Sequence, residues 1–157
     1  MTLSLYRARR GALHVWNDKA FGPFAGVTKV ILCEPSVSVL FVEDDPLIRE
    51  FVVGALRDAG YHVIHASTGE EALEWCKRRV ANVLVTDVRL PGQIDGWQIA
   101  ERCREQDPEL PVIYATGYSP AKPRPVSGSR IVRKPFHPEE IVRMVRELGG
   151  EKRTPPN

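Results

Sequence analysis

The feature that most constrains this chain is an alternation running from residue 37 to residue 148. Short apolar, β-branched runs take turns with stretches whose apolar positions recur at helical spacing. Residues 37–43 form the first run. Pro46 then opens a stretch with Leu47, Ile48, Phe51, Val52 and Leu56 in a helical rhythm, and Gly60 stands where that helix would stop. Residues 61–65 read as a second strand, after which Ser67 or Thr68 can cap a helix through Ala72, Leu73 and Cys76. Residues 82–87 are almost continuously apolar until they end on Asp87, and make the third strand. A helix over 96–106 has Trp97, Ile99, Ala100 and Cys103 as its inner face. Residues 111–115 and 130–132 supply strands four and five, and 138–148 a closing helix with Ile141, Val142 and Val145 turned inward.

Strands apolar on both faces and joined by helices belong in a parallel sheet covered on both sides. Right-handed crossovers leave few topologies. The expected fold is α/β: a flavodoxin-like, doubly wound, five-stranded parallel sheet of order 2-1-3-4-5. One connection breaks the pattern, because residues 118–129 contain Pro120, Pro123, Pro125 and Gly128. A regular helix cannot run through three prolines, so the fourth helix is expected to be short or irregular.

The alternating part, residues 37–149, accounts for one domain. With 157 residues, 43% of them hydrophobic, the chain has room for that domain and two tails. No run approaches the ~20 apolar residues of a membrane span, so no membrane is expected. Residues 1–36 carry five basic and two acidic side chains and show no sustained period. They read as a poorly structured extension, with three origins open: a disordered arm, a docking segment, or translation from an early start. Residues 150–157 read as a frayed polar tail. The domain is mildly acidic, with 15 basic and 17 acidic residues over 37–150, which argues against nucleic acid. Three cysteines, Cys33, Cys76 and Cys103, show no paired spacing. That argues against a disulfide scaffold or a redox pair, points to Cys76 and Cys103 as packing residues, and suits a reducing cytoplasm.

In a sheet of this kind, sites form at the carboxyl ends of the strands. Those ends carry Glu43-Asp44-Asp45, Asp87 and Thr116, with Lys134 just past the fifth strand. Taken singly each has a plain reading: acids before Pro46 compensate a helix dipole, a lone Asp caps, a lone Lys is solvated. Together they line one rim. Carboxylates held close repel one another, and a divalent cation such as magnesium, with its preference for hard oxygen ligands, removes that conflict. Such a rim suits delivery of a phosphoryl group to a carboxylate, with Thr116 and Lys134 binding the remaining oxygens.

Val42-Glu43-Asp44-Asp45-Pro46, Thr86 through Gly92, Asp95-Gly96, Ala115-Thr116-Gly117 and Lys134-Pro135-Phe136 together resemble a response-regulator receiver (CheY-like) domain. The resemblance spans about residues 37–149. It implies that Asp87 is the phosphoacceptor, and that Asp44 and Asp87 bind Mg2+ directly, with Glu43 acting through water and Arg89 offering its backbone carbonyl. It makes Thr116 the switch hydroxyl and Lys134 the phosphate-binding lysine, whose Lys-Pro peptide is often cis in the family. Tyr114-Ala115-Thr116-Gly117-Tyr118 is also similar to the Phe-Ala-Thr-Gly motif of a subgroup of stand-alone receivers.

Many receivers carry an aromatic residue three places before the lysine, where this chain has Ile131. Tyr118 is the candidate replacement as a mobile reporter; the alternative is a tyrosine half-packed on a loop. The resemblance implies a single-domain regulator in a two-component system or phosphorelay. Its phosphoryl donor would be a histidine kinase or histidine phosphotransfer protein, and its output would pass by protein contact, as a monomer or weak dimer. It would be a switch, not a turnover enzyme. A phosphohydrolase using Asp87 would need a second acid–base carboxylate and a cap domain, neither of them evident. A receiver-like binding module that is never phosphorylated is the other alternative, kept open by the missing aromatic.

Overall fold

The computed structural model describes residues 5–7 and 13–15 as backbone strands, and residues 37–117 and 122–149 in full. The chain divides into two units, residues 1–36 and 37–157. In the first, β1 (Leu5–Arg7) and β2 (Leu13–Val15) pair antiparallel, a pairing for which the sequence shows no sustained alternation.

In the second unit, β-branched runs become strands and amphipathic stretches become helices. The elements are β3 (Ser38–Val42), α1 (Pro46–Asp58), β4 (His62–Ala66), α2 (Gly69–Lys77), β5 (Val83–Asp87), α3 (Gly96–Gln106), β6 (Val112–Thr116), β7 (Arg130–Arg133) and α4 (Pro138–Gly149). The five strands lie in the order β4-β3-β5-β6-β7, all parallel, which is the expected 2-1-3-4-5. Alternate residues of the central strands feed opposite cores. Val39, Phe41, Val85 and Ile113 pack under α1 and α4, whereas Leu40, Leu84, Val112 and Tyr114 pack under α2 and α3. All five residues of β5 are buried, so this strand is the spine of the sheet.

Local chemistry sets the helix starts. The Asp45 carboxylate accepts from the amides of Leu47 (2.8 Å) and Ile48, and Pro46 occupies the first turn of α1. Thr68 rather than Ser67 caps α2, through the Glu71 amide. Asp95 and Gln98 form a reciprocal capping box on α3. Beyond α1, Gly60 takes a φ of +89°, which ends the helix cleanly.

Three expectations meet corrections or refinements. Leu47 and Phe51 share the helical rhythm of α1 yet are 65% and 68% exposed; Val52, Val53 and Leu56 make its buried face. No helix forms between β6 and β7 among the described residues. There, residues 122–129 cross α3 as an extended strap: Arg104 donates to the carbonyls of Pro108, Leu110 and Ser127, Arg124 pairs with Asp95 and Glu101, and the Val126 amide donates to the buried Tyr114 hydroxyl. The third concerns the cysteines. Cys76 and Cys103, expected to be unpaired, are joined by a disulfide across the facing last turns of α2 and α3, with Cα atoms 5.5 Å apart. Their separation of 27 residues is set by helix packing, which no linear spacing shows.

Helix α3 abuts the end of β5 so tightly that a Cβ on Gly96 would lie 2.1 Å from the Asp87 carbonyl oxygen, whereas one on Gly54, inside α1, would meet nothing. The obstacle at Gly96 is backbone and cannot turn aside. Gly96→Ala is expected to destabilise the domain by about 3 kcal/mol, and Gly54→Ala to stabilise it by about 0.5–1 kcal/mol. Urea unfolding of the two variants checks both signs.

Candidate functional site

The parallel sheet delivers the charged groups to one rim, because β3, β5, β6 and β7 all run toward it. Val42 ends β3 and Glu43 follows it; Asp87 is the last residue of β5, Thr116 the last of β6, and Lys134 follows β7. The peptide between Lys134 and Pro135 is cis.

Lys134 lies at the centre. Its Nζ donates to Glu43 Oε2 at 2.7 Å and to Asp87 Oδ2 at 2.6 Å, and its backbone amide donates to the Thr116 carbonyl at 2.8 Å. The Glu43 side chain is 1% exposed, that of Asp87 9% and that of Lys134 20%. Burial drives the Glu43 carboxyl above its usual value; the Lys134 ammonium pulls it back without cancelling the effect, and the Asp87 charge raises it further. Burial also disfavours the Lys134 charge, but its bonds to Asp87 and Glu43 outweigh this and hold its pKa above the ordinary lysine value. The linkage signs follow. A raised carboxyl stabilises the fold fully below its unfolded value and loses that contribution as pH rises through the folded one, so ionised Glu43 opposes folding at neutral pH. The raised lysine contributes stability throughout the neutral range and loses it only above the ordinary lysine pKa.

The acidic turn divides its work. Asp45 is committed to capping α1, while Glu43 and Asp44 remain beside Asp87. One ligand oxygen from each of Glu43, Asp44 and Asp87 lies within 4.8 Å of the others, with Asp44 exposed and the other two buried. Three carboxylates around one point fit a hard divalent cation, and a single ammonium leaves their charge only partly balanced. The other Asp87 oxygen, Oδ1, accepts from the Arg89 amide at 3.1 Å, which places Arg89 in the turn next to the cluster with its side chain exposed. The Thr116 hydroxyl donates to the Gly117 carbonyl at 3.0 Å instead of to Asp87. Tyr118 lies outside the described residues, and Ile131, at the position often aromatic in receivers, is 43% exposed on the edge strand β7.

Sequence reasoning missed Arg49. Its guanidinium donates to the carbonyls of Glu43 (2.8 Å) and Asp44 (3.3 Å) and so fixes the backbone of the acidic turn. An arginine four residues after an N-cap is the available signal, but dipole compensation gives it no special prominence. Trp97, on the inner face of α3 as its spacing suggests, is buried against Tyr114, with ring centroids 4.3 Å apart, and His65 is exposed.

The family described as the response regulator receiver domain matches residues 39–146, from within β3 to within α4, and includes the whole rim. This chain belongs to the response-regulator receiver family. The receiver is 34% identical over 114 residues to the response regulator receiver protein CpdR of Brucella abortus (strain 2308), covering 70% of this chain and 94% of CpdR. It is also 34% identical over 116 residues to the probable transcriptional regulatory protein TcrX of Mycobacterium tuberculosis (strain ATCC 25618 / H37Rv), covering 71% of this chain and 49% of TcrX. The chain thus spans about half the length of that second relative. Among solved structures it resembles a response regulator receiver protein from Sinorhizobium medicae WSM419, with a TM-score of 0.70 and 31% identity, covering 74% of this chain and 97% of that one. The receiver domain of the hybrid histidine kinase CckA aligns with a TM-score of 0.62 and 30% identity over 71% of this chain and 97% of that one. The domain is a receiver of two-component signalling. Among the described residues, no helix is long and apolar enough to cross a membrane.

Lys134→Met removes the ammonium that bonds both buried carboxylates. Without divalent metal it is expected to destabilise the receiver by about 2 kcal/mol, less than a fully buried broken pair because the ammonium is partly exposed and a carboxyl can protonate. Millimolar magnesium should recover most of that loss, as read by thermal unfolding with and without the ion.

Proposed function

We propose that this receiver is a single-domain response regulator whose Asp87 accepts a phosphoryl group from the phosphohistidine of a histidine kinase or histidine phosphotransfer protein. The observation that carries the reading is the position of Asp87: at the end of the buried strand β5, held by Lys134 at 2.6 Å and grouped with Glu43 and Asp44. A carboxylate oxygen of Asp87 attacks phosphorus, the P–N bond to the donor imidazole breaks, and its electron pair stays on the imidazole, which takes up a proton. Glu43, Asp44 and Asp87 would hold magnesium, which when bound neutralises charge on the phosphoryl oxygens. Arg89 supports the turn through its amide and is assigned a backbone carbonyl toward the same ion. Lys134 keeps its positive charge across the neutral range and turns it toward the transferred oxygens. Thr116, at the end of the neighbouring strand, would turn its hydroxyl from the Gly117 carbonyl to the new phosphate. Hydrolysis of the acyl phosphate resets the domain, which makes it a switch and not a turnover enzyme.

Output is assigned to protein contact through the region after Thr116, residues 118–129, of which residues 122–129 run as a strap over α3, with Tyr118 the candidate aromatic reporter. The Tyr114-Ala115-Thr116-Gly117 run and the exposed Ile131 favour the stand-alone subgroup with the Phe-Ala-Thr-Gly motif. The protein is assigned to the cytoplasm, as a monomer or weak dimer.

The full chain, incubated with acetyl phosphate and magnesium, is expected to gain one phosphoryl group by intact mass. Asp87→Asn should gain none while melting normally, and Asp45→Ala, which loses the α1 cap but leaves Glu43, Asp44 and Asp87 in place, should still be modified. Phosphate uptake by Asp87→Asn at the parental rate would refute the assignment of the acceptor.

A further inference from the structure

The end of the sheet opposite the carboxylate rim holds a second chemical feature. Cys76 lies in the last turn of α2 and Cys103 in that of α3, near the amino ends of β5 and β6, and a disulfide joins them. Beside the bond is a cavity lined by both cysteines, Leu40 and Leu84, with the exposed Arg79 and Val80 at its mouth.

We propose that Cys76 and Cys103 form a reversible thiol–disulfide couple that locks α2 to α3 and exchanges with a small-molecule disulfide or thiol through the Cys76 sulfur. Three observations carry this. Both helices are anchored without the bond: α2 by the Thr68 cap, buried Ala72 and the contact of Gly69 with Ile94, α3 by its capping box and by buried Trp97, Ile99 and Ala100. The reduced cysteines would therefore stay facing each other, with Cα atoms at a separation within the disulfide range, 5.5 Å. Access is also unequal. Cys103 is 3% exposed within the core while Cys76 is partly exposed, so an incoming sulfur meets Cys76 first and Cys103 serves as the resolving thiol. Finally, Arg79 projects a guanidinium at the mouth, where it donates to the Gln106 carbonyl across the two helix ends. Arg79 shares that lining with Asp107, and its charge favours the approach of an anionic partner such as glutathione.

The exchange balances as follows. The Cys76 thiolate attacks one sulfur of oxidised glutathione, forming a mixed disulfide and expelling a glutathione thiolate, which takes up the proton lost by Cys76. The Cys103 thiolate then attacks the Cys76 sulfur and expels the second glutathione thiolate, which is protonated in turn. Two protein thiols are oxidised to one disulfide, and one glutathione disulfide is reduced to two thiols; excess thiol runs both steps backward.

The test uses the full chain carrying Cys33→Ser, so that only the pair titrates. The folded protein is equilibrated from both directions in graded mixtures of reduced and oxidised glutathione, acid-quenched, alkylated and weighed. Two alkyl groups are expected at the reducing end and none at the oxidising end, with both directions converging on one curve. Adding Cys103→Ser should leave a glutathione adduct on Cys76, whereas adding Cys76→Ser should leave Cys103 largely unmodified. The oxidised form should also resist unfolding, its equilibrium constant shifted by more than a hundredfold for a closed loop of this size. A pair that stays reduced in excess oxidised glutathione while folded would overturn the proposal. So would a bond that thiols reach only after denaturant unfolds the chain, since that is a permanent staple.

Discussion

Glu43 and Asp87 are two buried carboxylates that share one ammonium, and the rest of the rim is arranged around that shortage of positive charge. The carboxylates belong to neighbouring strands, β3 and β5, and Lys134 reaches them from the far side of β6. Burial alone would drive the Glu43 carboxyl toward its neutral form, in which it is a poor metal ligand. The Lys134 ammonium keeps that from happening completely, and the raised Glu43 carboxyl records how incompletely. The rim therefore carries more carboxylate charge than Lys134 balances, and under the proposed function a divalent cation, and then a phosphoryl group, would change that balance in opposite senses. Such a site can report a change of charge because it is not neutral at rest.

The backbone around the rim is correspondingly stiff. Arg49 ties down the carbonyls of Glu43 and Asp44, Gly96 allows α3 to press against the carbonyl of Asp87, and the Lys134 amide is bonded to Thr116. Each tie holds a charged group in position against the repulsion of its neighbours. The Thr116 hydroxyl donates to the Gly117 carbonyl and, among the described residues, forms no bond to the carboxylates. Under the proposed function, the Thr116 hydroxyl and the strap of residues 122–129 are where a change at Asp87 would be passed to the surface over α3.

Most of this was legible in the sequence because its periodicities agree with its tertiary structure. The run 82–87 could be read as a fully buried strand ending on a carboxylate, and β5 is that strand. The division of labour in Glu43-Asp44-Asp45 could be read only by resemblance; physically it rests on Asp45 satisfying the first amides of α1. What escaped was set by contacts between distant segments. Leu47 and Phe51 fit the helical rhythm of α1, but periodicity gives a stripe and not its limits, and the sheet covers only the side of Val52 and Leu56. The Cys76–Cys103 bond depends on where two helices end side by side. Arg104 belongs to no motif in the sequence, yet it pins the strap across α3. Tyr118 lies outside the described residues, and its role is carried by resemblance alone.

The account depends on the three carboxylates binding a cation before any phosphate arrives. Amide NMR of the full chain during a magnesium titration tests this most directly. A single saturable set of shifts is expected at Glu43, Asp44, Asp87, Arg89 and Lys134, absent in Asp44→Asn, with the strands beneath unmoved. Magnesium that produces no saturable shift at these residues, or the same shifts in Asp44→Asn, would contradict the account and leave the rim a purely structural ion pair.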